Sequence, residues 1–362
     1  MLSFFSPQKL AAMALSIVIG AAGGWLAHLL GTPMPFLLGA FAASVVATLS
    51  GFNLFGIAPV LPMPVRNLFV AVIGVMIGGS FHPGIFSEFD NLWLPALAVV
   101  MIVLASLSFN YLIFRKLGRY DKVTSFYSAM PGGLIESVAL GERAGGAIET
   151  LSLQQFLRIT LVITFLPILF QVFTGKQVGS AAGMTIGNPD LAIEITDWLV
   201  LAGCVFVGLA GGKMLRLPAF ILTGPLILSA LAHYFGLTLV GLPSWVISGA
   251  QVVVGAGLGS RFRGFRLGQL WKSFWLAMIS VSGMLLIGAA MVGLLVRLID
   301  VPFQVLFISF APGGVTETAL IALSLNANPV YVTTLHVFRI AVTVIISSLS
   351  LRWFDRQKKP VE

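Results

Sequence analysis

Met130-Pro131-Gly132-Gly133-Leu134-Ile135-Glu136-Ser137 recurs as Ala311-Pro312-Gly313-Gly314-Val315-Thr316-Glu317-Thr318, an offset of 181 residues (312 − 131). The surroundings repeat at the same distance. Gln155-Phe156-Leu157-Arg158 becomes His336-Val337-Phe338-Arg339, and Gly74-Val75-Met76-Ile77-Gly78 becomes Gly255-Ala256-Gly257-Leu258-Gly259. Further upstream the offset drifts to 185, with Pro33 through Gly39 matching Pro218 through Gly224. The chain is therefore a duplication, and each copy interrupts an apolar segment with Pro-Gly-Gly beside a lone carboxylate. Paired interruptions of that kind in hydrophobic halves point to a transport site in a membrane.

The solvent follows from composition. The chain is 58% hydrophobic and 9% charged, against about 25% charged for ordinary soluble domains, and its mean hydropathy is +1.00. Apolar runs cover Leu10–Leu30, Phe36–Ser50, Leu92–Phe114, Leu151–Phe173, Val200–Gly212, Phe220–Leu231, Phe274–Leu295 and Val330–Leu351. Most approach the roughly 20 residues that cross a bilayer. Lys9 followed by Leu10–Ala22 has the outline of a signal peptide, but the many spans behind it favour an uncleaved first helix. The net charge of +8 is read as topology signal on cytoplasmic loops rather than as a nucleic-acid surface, since no basic run is interleaved with aromatics. The single cysteine, Cys204, excludes an internal disulfide, a Cys-based metal site and a CxxC redox pair.

Lysine and arginine alternate along the chain. Lys9, Arg66 and the cluster Arg115, Lys116, Arg119 and Lys122 mark one side, and the connection holding His82, Glu88 and Asp90 carries no Lys or Arg. In the second half Lys213, Arg216, Arg261, Arg263, Arg266, Lys272, Arg352, Arg356, Lys358 and Lys359 fall on the cytoplasmic side, with His233 and Asp300 outside and Arg297 an exception. This frame needs five crossings per half, so each Pro-Gly-Gly segment enters and returns or is broken. An odd count starts the second half from the opposite side. The expected fold is all-α and polytopic, two inverted repeats of about five transmembrane helices, each with a PGG-broken or re-entrant segment. Residues 1–175 form repeat 1, 176–197 the inter-repeat loop, 198–352 repeat 2 and 353–362 a basic cytoplasmic tail. Trp25, Trp93, Trp198, Trp245, Trp271 and Trp353 fall near span ends, as an interfacial belt requires. Gly74xxxGly78 and Gly255xxxGly259 are read as close helix packing.

The chemistry gathers around the breaks. Pro131, Gly132, Gly133, Pro312, Gly313 and Gly314 prevent a regular helix from continuing. Backbone groups freed in hydrocarbon need partners from protein, water or ligand. The half-helix after each break presents N–H groups that favour an anion, and Ser128 and Ser309 add hydroxyls nearby. Glu136 and Glu317 sit in the first turn, where a carboxylate also serves to cap its own helix. Arg158 and Arg339 lie mid-span, each 22 residues after its glutamate (158 − 136). A charge there costs about 2.5–3.5 kcal/mol on insertion scales, so it faces a partner or a wet cavity. The simplest partner for each arginine is the glutamate of its own or the other repeat, as a static brace or as part of a site. The copies differ: Gln155 stands where the second has His336, and Thr316 and Thr318 replace Ile135 and Ser137, so any proton linkage is assigned to the His336, Glu317, Arg339 group. Asn326 and Asn328 are read as turn residues. His28, His82, His233 and His336 show no metal spacing, and P-loop, GxGxxG and GxSxG motifs are missing.

The paired PGG-x-x-E segments, each followed by a (Gln/His)-x-x-Arg helix, resemble the AbrB duplication family of bacterial membrane proteins. The resemblance covers nearly the whole chain. The family motif falls on Pro131, Gly132, Gly133, Glu136, Arg158, Pro312, Gly313, Gly314, Glu317, His336 and Arg339. The labels regulator and ammonia monooxygenase have both been attached to this family, which is distinct from the small soluble DNA-binding regulator of the same name. The resemblance implies an inner-membrane protein tied to regulation of gene expression. Copper or iron oxygenation would need clustered His and carboxylate ligands, and these four histidines are scattered.

The expectation is an inner-membrane secondary transporter, not an enzyme, with no cofactor or metal and with both termini cytoplasmic. Its substrate is a small solute, anionic by the half-helices and arginines, coupled to H⁺ or Na⁺. The binding residues are the two Pro-Gly-Gly sets with Glu136, Ser137, Arg158, Thr316, Glu317, Thr318, His336 and Arg339. The alternative is a membrane sensor that alters gene expression indirectly. The partners are the bilayer and the solute, with no direct nucleic acid, and a homo-oligomer stays open beside the monomer.

Overall fold

The structure is a computed structural model that describes residues 6–81, 92–175, 178, 193–265, 267–325 and 327–358. His82, Glu88, Asp90, Arg266, Asn326, Lys359 and most of the 176–197 connection lie outside the described residues. The first copy supplies α1 (Pro7–Leu29), α2 (Pro35–Leu49), α3 (Met63–Gly78), α4 (Trp93–Lys116), α5 (Lys122–Ser128), α6 (Leu134–Arg143) and α7 (Ile148–Thr174). The second supplies α8 (Ile195–Met214), α9 (Phe220–Tyr234), α10 (Ser244–Gly259), α11 (Leu267–Leu295), α12 (Phe303–Phe310), α13 (Val315–Ser324) and α14 (Pro329–Lys358). No β-strand occurs among the described residues; the only pairing is an isolated bridge between Leu54 and Ile57.

Local chemistry sets several helix starts. Ser6 caps α1 ahead of Pro7, and Asp121 accepts the Thr124 N–H at the start of α5. Asn328 accepts the Val330 N–H as α14 begins at Pro329, the turn role expected of it. Among the described residues six helices are long and apolar enough to cross a membrane: α1, α4, α7, α8, α11 and α14. They are three equivalent pairs, as a duplication demands. The other apolar helices α2, α3, α9 and α10 are 15 or 16 residues long. At about 1.5 Å per residue they fall short of a hydrocarbon layer of about 30 Å. The six tryptophans near span ends all point outward, from 37% exposed at Trp198 to 69% at Trp245.

The chain forms two compact units, and each draws on both copies. One contains α1–α3, α8–α10 and the end of α7 beyond Pro167; the other contains α4–α6, the rest of α7, α11–α13 and α14 from Tyr331.

In the first unit glycines permit backbone contact. Gly23 of α1 meets Gly39 of α2, and Gly208 of α8 meets Gly224 of α9, the same pair displaced by 185 (208 − 23). A Cβ on Gly74 of α3 would stand 2.5 Å from Leu222 O of α9, and one on Gly78 would strike Leu226 O. In the other copy Gly255 of α10 abuts Leu37 O of α2, and a Cβ on Gly259 would lie 2.7 Å from Phe41 O. The doubled GxxxG is thus a packing device, as read from the sequence. Along both crossings the residue numbers rise together, so α3 runs parallel to α9 and α2 parallel to α10.

In the second unit α4 packs on α11. Asn110 Oδ1 accepts from Ser280 Oγ at 2.8 Å, the Phe109 ring covers Gly283, and a Cβ on Gly118 would stand 3.3 Å from Leu276. Numbers rise along one helix as they fall along the other. These equivalent helices of the two copies therefore lie antiparallel.

Candidate functional site

All of the sequence-derived binding residues fall in the second unit, on α6, α7, α13 and α14 and in the breaks between α5 and α6 and between α12 and α13. In the first copy α5 ends at Ser128, α6 starts at Leu134, and Gly133 takes φ +57°, the left-handed region open to glycine. The second copy breaks between Phe310 and Val315, and Gly314 is not among the residues with positive φ. The backbones of the two breaks are similar but not identical.

A broken helix leaves carbonyls open, and four side chains take them. Arg158 Nη1 donates to Met130 O, and Gln155 Nε2 donates to Tyr127 O at 3.0 Å and to Ser128 O and Met130 O at 3.3 Å. Arg339 Nη1 donates to Ala311 O, and its Nη2 to Gly313 O at 2.8 Å. His336 Nε2 lies 2.9 Å from Ile308 O, and because a carbonyl oxygen only accepts, Nε2 carries the hydrogen. Met130 and Ala311 are equivalent positions, as are Tyr127 and Ile308, at the 181 offset (308 − 127). The sequence offered the glutamates as partners for these arginines. Every hydrogen bond described for the two guanidiniums ends instead on a main-chain carbonyl.

The glutamates turn toward their own helix starts. Glu136 Oε2 lies 3.3 Å from where a Cβ on Gly133 would stand, and Glu317 Oε2 covers the same place on Gly314. A carboxylate there lies against the positive end of the half-helix. Glu317 is buried and Glu136 half-buried. Ser137 Oγ donates to Gly132 O at 3.1 Å and Thr318 Oγ1 to Gly314 O at 2.9 Å, so both hydroxyls close their breaks locally. Thr316 is buried beside them in α13.

The breaks meet by crossing over. A Cβ on Gly132 would stand 3.0 Å from Thr343 Oγ1 of α14, and one on Gly313 would stand 3.0 Å from Val162 of α7. Val162 and Thr343 are equivalent, four residues after Arg158 and Arg339 respectively (343 − 162 is again 181). Each break therefore leans on the other copy's arginine helix. The guanidiniums themselves lie within Coulombic reach of each other. Arg158 is 6% exposed and Arg339 3%, so two like charges share one buried junction.

A family model described as "AbrB: Transition state regulatory protein AbrB" matches residues 52–355. The chain belongs to the AbrB family. Two relatives span nearly the whole chain. "Uncharacterized protein YhjN" of Bacillus subtilis (strain 168) is 25% identical over 346 residues, 91% of this chain and 90% of the relative. "Putative regulator AbrB" of Escherichia coli (strain K12) is 25% identical over 317 residues, 86% of this chain and 88% of the relative.

In this AbrB-family chain several polar atoms at the junction have no hydrogen-bond partner among the described residues. Ser128 Oγ, Gln155 Oε1, Arg158 Nε, His336 Nδ1 and Arg339 Nε are all buried and unbonded. The two serines before the prolines diverge, because Ser309 Oγ donates to Val305 O at 2.7 Å. Four residues outside the sequence-derived site also shape it. Asn110 Nδ2 reaches Ala129 O at 3.4 Å, Ser280 holds Asn110, and Tyr127 OH donates to Ser347 O at 3.1 Å across to α14. Thr343 Oγ1 donates to Arg339 O at 2.8 Å. Asn110 was findable as a lone amide in the apolar run Leu92–Phe114; the others have no sequence signal beyond polarity.

What the arrangement can do is hold charge. It gathers donors, open acceptors and two cations in a buried place. Among the described residues no three His, Cys, Asp or Glu side chains gather as a metal ion would require. A separate cavity of about 350 Å³, lined by Val200, Cys204, Leu228, Phe235 and other apolar residues, lies in the first unit and offers no charged group.

Proposed function

We propose that this protein is a secondary transporter of a small anionic solute, coupled to H⁺ or Na⁺, and that the two Pro-Gly-Gly breaks form its binding site. The single observation that carries the anion is the pair of buried guanidiniums. Two like charges within Coulombic reach in a low dielectric repel each other, and carbonyl hydrogen bonds neutralise neither. Their unbonded Nε–H groups are the donors an oxyanion would accept from. A bound anion offsets both the repulsion and the unmet donors.

The antiparallel packing of α4 on α11 supports inverted repeats, since these helices occupy the same place in the two copies. The parallel crossings of α3 with α9 and of α2 with α10 fit the same inversion. A duplicated, inverted pair with broken helices can expose one site to either face in turn. The proposal places the chain in a bacterial inner membrane with both termini in the cytoplasm, on the lysine and arginine alternation. It includes no covalent chemistry, no resident cofactor and no direct contact with nucleic acid; a homo-oligomer is compatible with it.

The name of the E. coli relative, "Putative regulator AbrB", favours a second reading, a membrane sensor that affects gene expression through a partner. Solute-dependent thermal stabilisation of purified protein tests the first. We expect sodium salts of small carboxylates to raise the unfolding temperature of wild type but not of Arg158→Ala/Arg339→Ala. Equal stabilisation of both proteins would remove the anion site. Regulatory activity that survives in that double variant would favour the sensor.

A further inference from the structure

We infer that His336 carries the coupling proton and that Gln155 is its non-titrating counterpart in the first copy. The inference rests on the anion-transport proposal and assigns the coupling ion to one atom, His336 Nδ1.

Gln155 and His336 are equivalent by the 181 offset (336 − 155) and each precedes its arginine by three residues. They make the same hydrogen bond. The Gln155 amide donates to Tyr127 O at 3.0 Å, and the His336 ring donates from Nε2 to the equivalent Ile308 O at 2.9 Å. That bond fixes the neutral tautomer of His336, with hydrogen on Nε2 and a bare lone pair on Nδ1. Both residues are fully buried, and the remaining acceptor of each, Gln155 Oε1 and His336 Nδ1, has no partner among the described residues. Geometry thus makes the two side chains interchangeable, and chemistry separates them. An amide oxygen stays unprotonated across the physiological range, whereas an imidazole nitrogen can take a proton.

The charges around His336 make that proton conditional. Arg339 on the same helix is within Coulombic reach of it, and Arg158 on α7 is within reach of Arg339. Glu317 on α13 and Glu136 on α6 share the junction, each turned toward its own half-helix start. The hydrogen-bonding helix α12 has no titratable side chain, and α14 adds Tyr331 five residues before His336. A proton on Nδ1 adds a third cation to this cluster, so it is favoured when an anion arrives with it. Protonation also turns Nδ1 from acceptor to donor, which an anion can use. A hydronium at one face gives up an O–H bond as the Nδ1–H bond forms, leaving water; at the other face the Nδ1–H bond breaks and a water takes the proton as hydronium, with the anion bound in between. The glutamates occur in both copies at equivalent places, while the histidine occurs in one. At the position that holds the break's carbonyl, only the second copy therefore has a side chain that titrates.

The test uses the full chain in nanodiscs and calorimetry with sodium acetate, lactate, malate and citrate as probes. Two buffers of different ionisation enthalpy report the protons taken up per anion, from pH 5.5 to 8. Wild type should take up one proton per bound anion and lose affinity about ten-fold per pH unit toward the alkaline end, as one-proton linkage requires. His336→Gln, which installs the side chain already used at position 155, should bind with no proton uptake and no pH slope. Retained uptake and slope in His336→Gln would overturn the assignment, as would an anion bound by wild type without a proton. If the variant does not fold, an anion bound by wild type without a proton still overturns the assignment. Binding of none of the four probes at any pH would instead overturn the anion proposal, and this inference with it.

Discussion

Arg339→Ala should unfold this protein more easily than Arg158→Ala, and the structure sets the size of the gap. Both substitutions delete one buried guanidinium and both relieve the same repulsion between the two arginines, so those contributions cancel in the comparison. What differs is the carbonyls. Arg339 serves two, Ala311 O and Gly313 O. Arg158 serves only Met130 O, which keeps the Gln155 amide at 3.3 Å when the guanidinium is gone. A buried carbonyl left without a donor costs about 1–3 kcal/mol, so two of them predict a difference of about 2–6 kcal/mol. Helical circular dichroism in one detergent, followed through heat or denaturant, reads it. Equal losses, or a larger loss for Arg158→Ala, would refute the carbonyl-bracing argument and return the glutamates as the arginines' partners.

Further outcomes follow from the packing. Gly74→Val places a side chain against Leu222 O, where even a Cβ would be 2.5 Å away, whereas a Cβ on Gly203 would meet open space. The first should destabilise by about 1–3 kcal/mol or more and Gly203→Ala should be tolerated; indistinguishable unfolding curves would contradict the crossing of α3 with α9. Asn110→Leu strands Ala129 O and Ser280, so it should cost about 1–3 kcal/mol. A double-mutant cycle with Ser280→Ala should return a coupling of about 0.5–1.5 kcal/mol, and additive effects would remove that bond. Single cysteines replacing Gln177 and Arg263, on a background lacking Cys204, should be labelled by a membrane-impermeant thiol reagent from opposite faces. Labelling from one face would exclude the inversion.

Much of this architecture was legible because apolar length and self-similarity are sequence properties. The runs Leu92–Phe114 and Leu151–Phe173 appear as α4 and α7, with ends that differ from the runs by three residues or fewer. The Pro131 and Pro312 breaks fall where backbone chemistry demands them. The partners of Arg158 and Arg339 were not legible. A sequence displays charged side chains and so suggests a glutamate for each arginine. The carbonyls that a Pro-Gly-Gly break sets free have no letter of their own, although the need to satisfy them follows from the break itself. The division into units was equally hidden, because it arises from crossings such as Gly74 on Leu222 that join one copy to the other. Asn110 escaped selection because the second copy has Met291 at the matching offset, so the repeat comparison gave it no echo.

Flux into proteoliposomes tests the central claim most directly. Vesicles holding wild-type protein should exchange a labelled carboxylate against the same unlabelled anion inside, at a rate that Arg158→Ala/Arg339→Ala brings down to that of empty vesicles. Exchange by the double variant at the wild-type rate, or none by wild type with any carboxylate that stabilises it, would contradict the account.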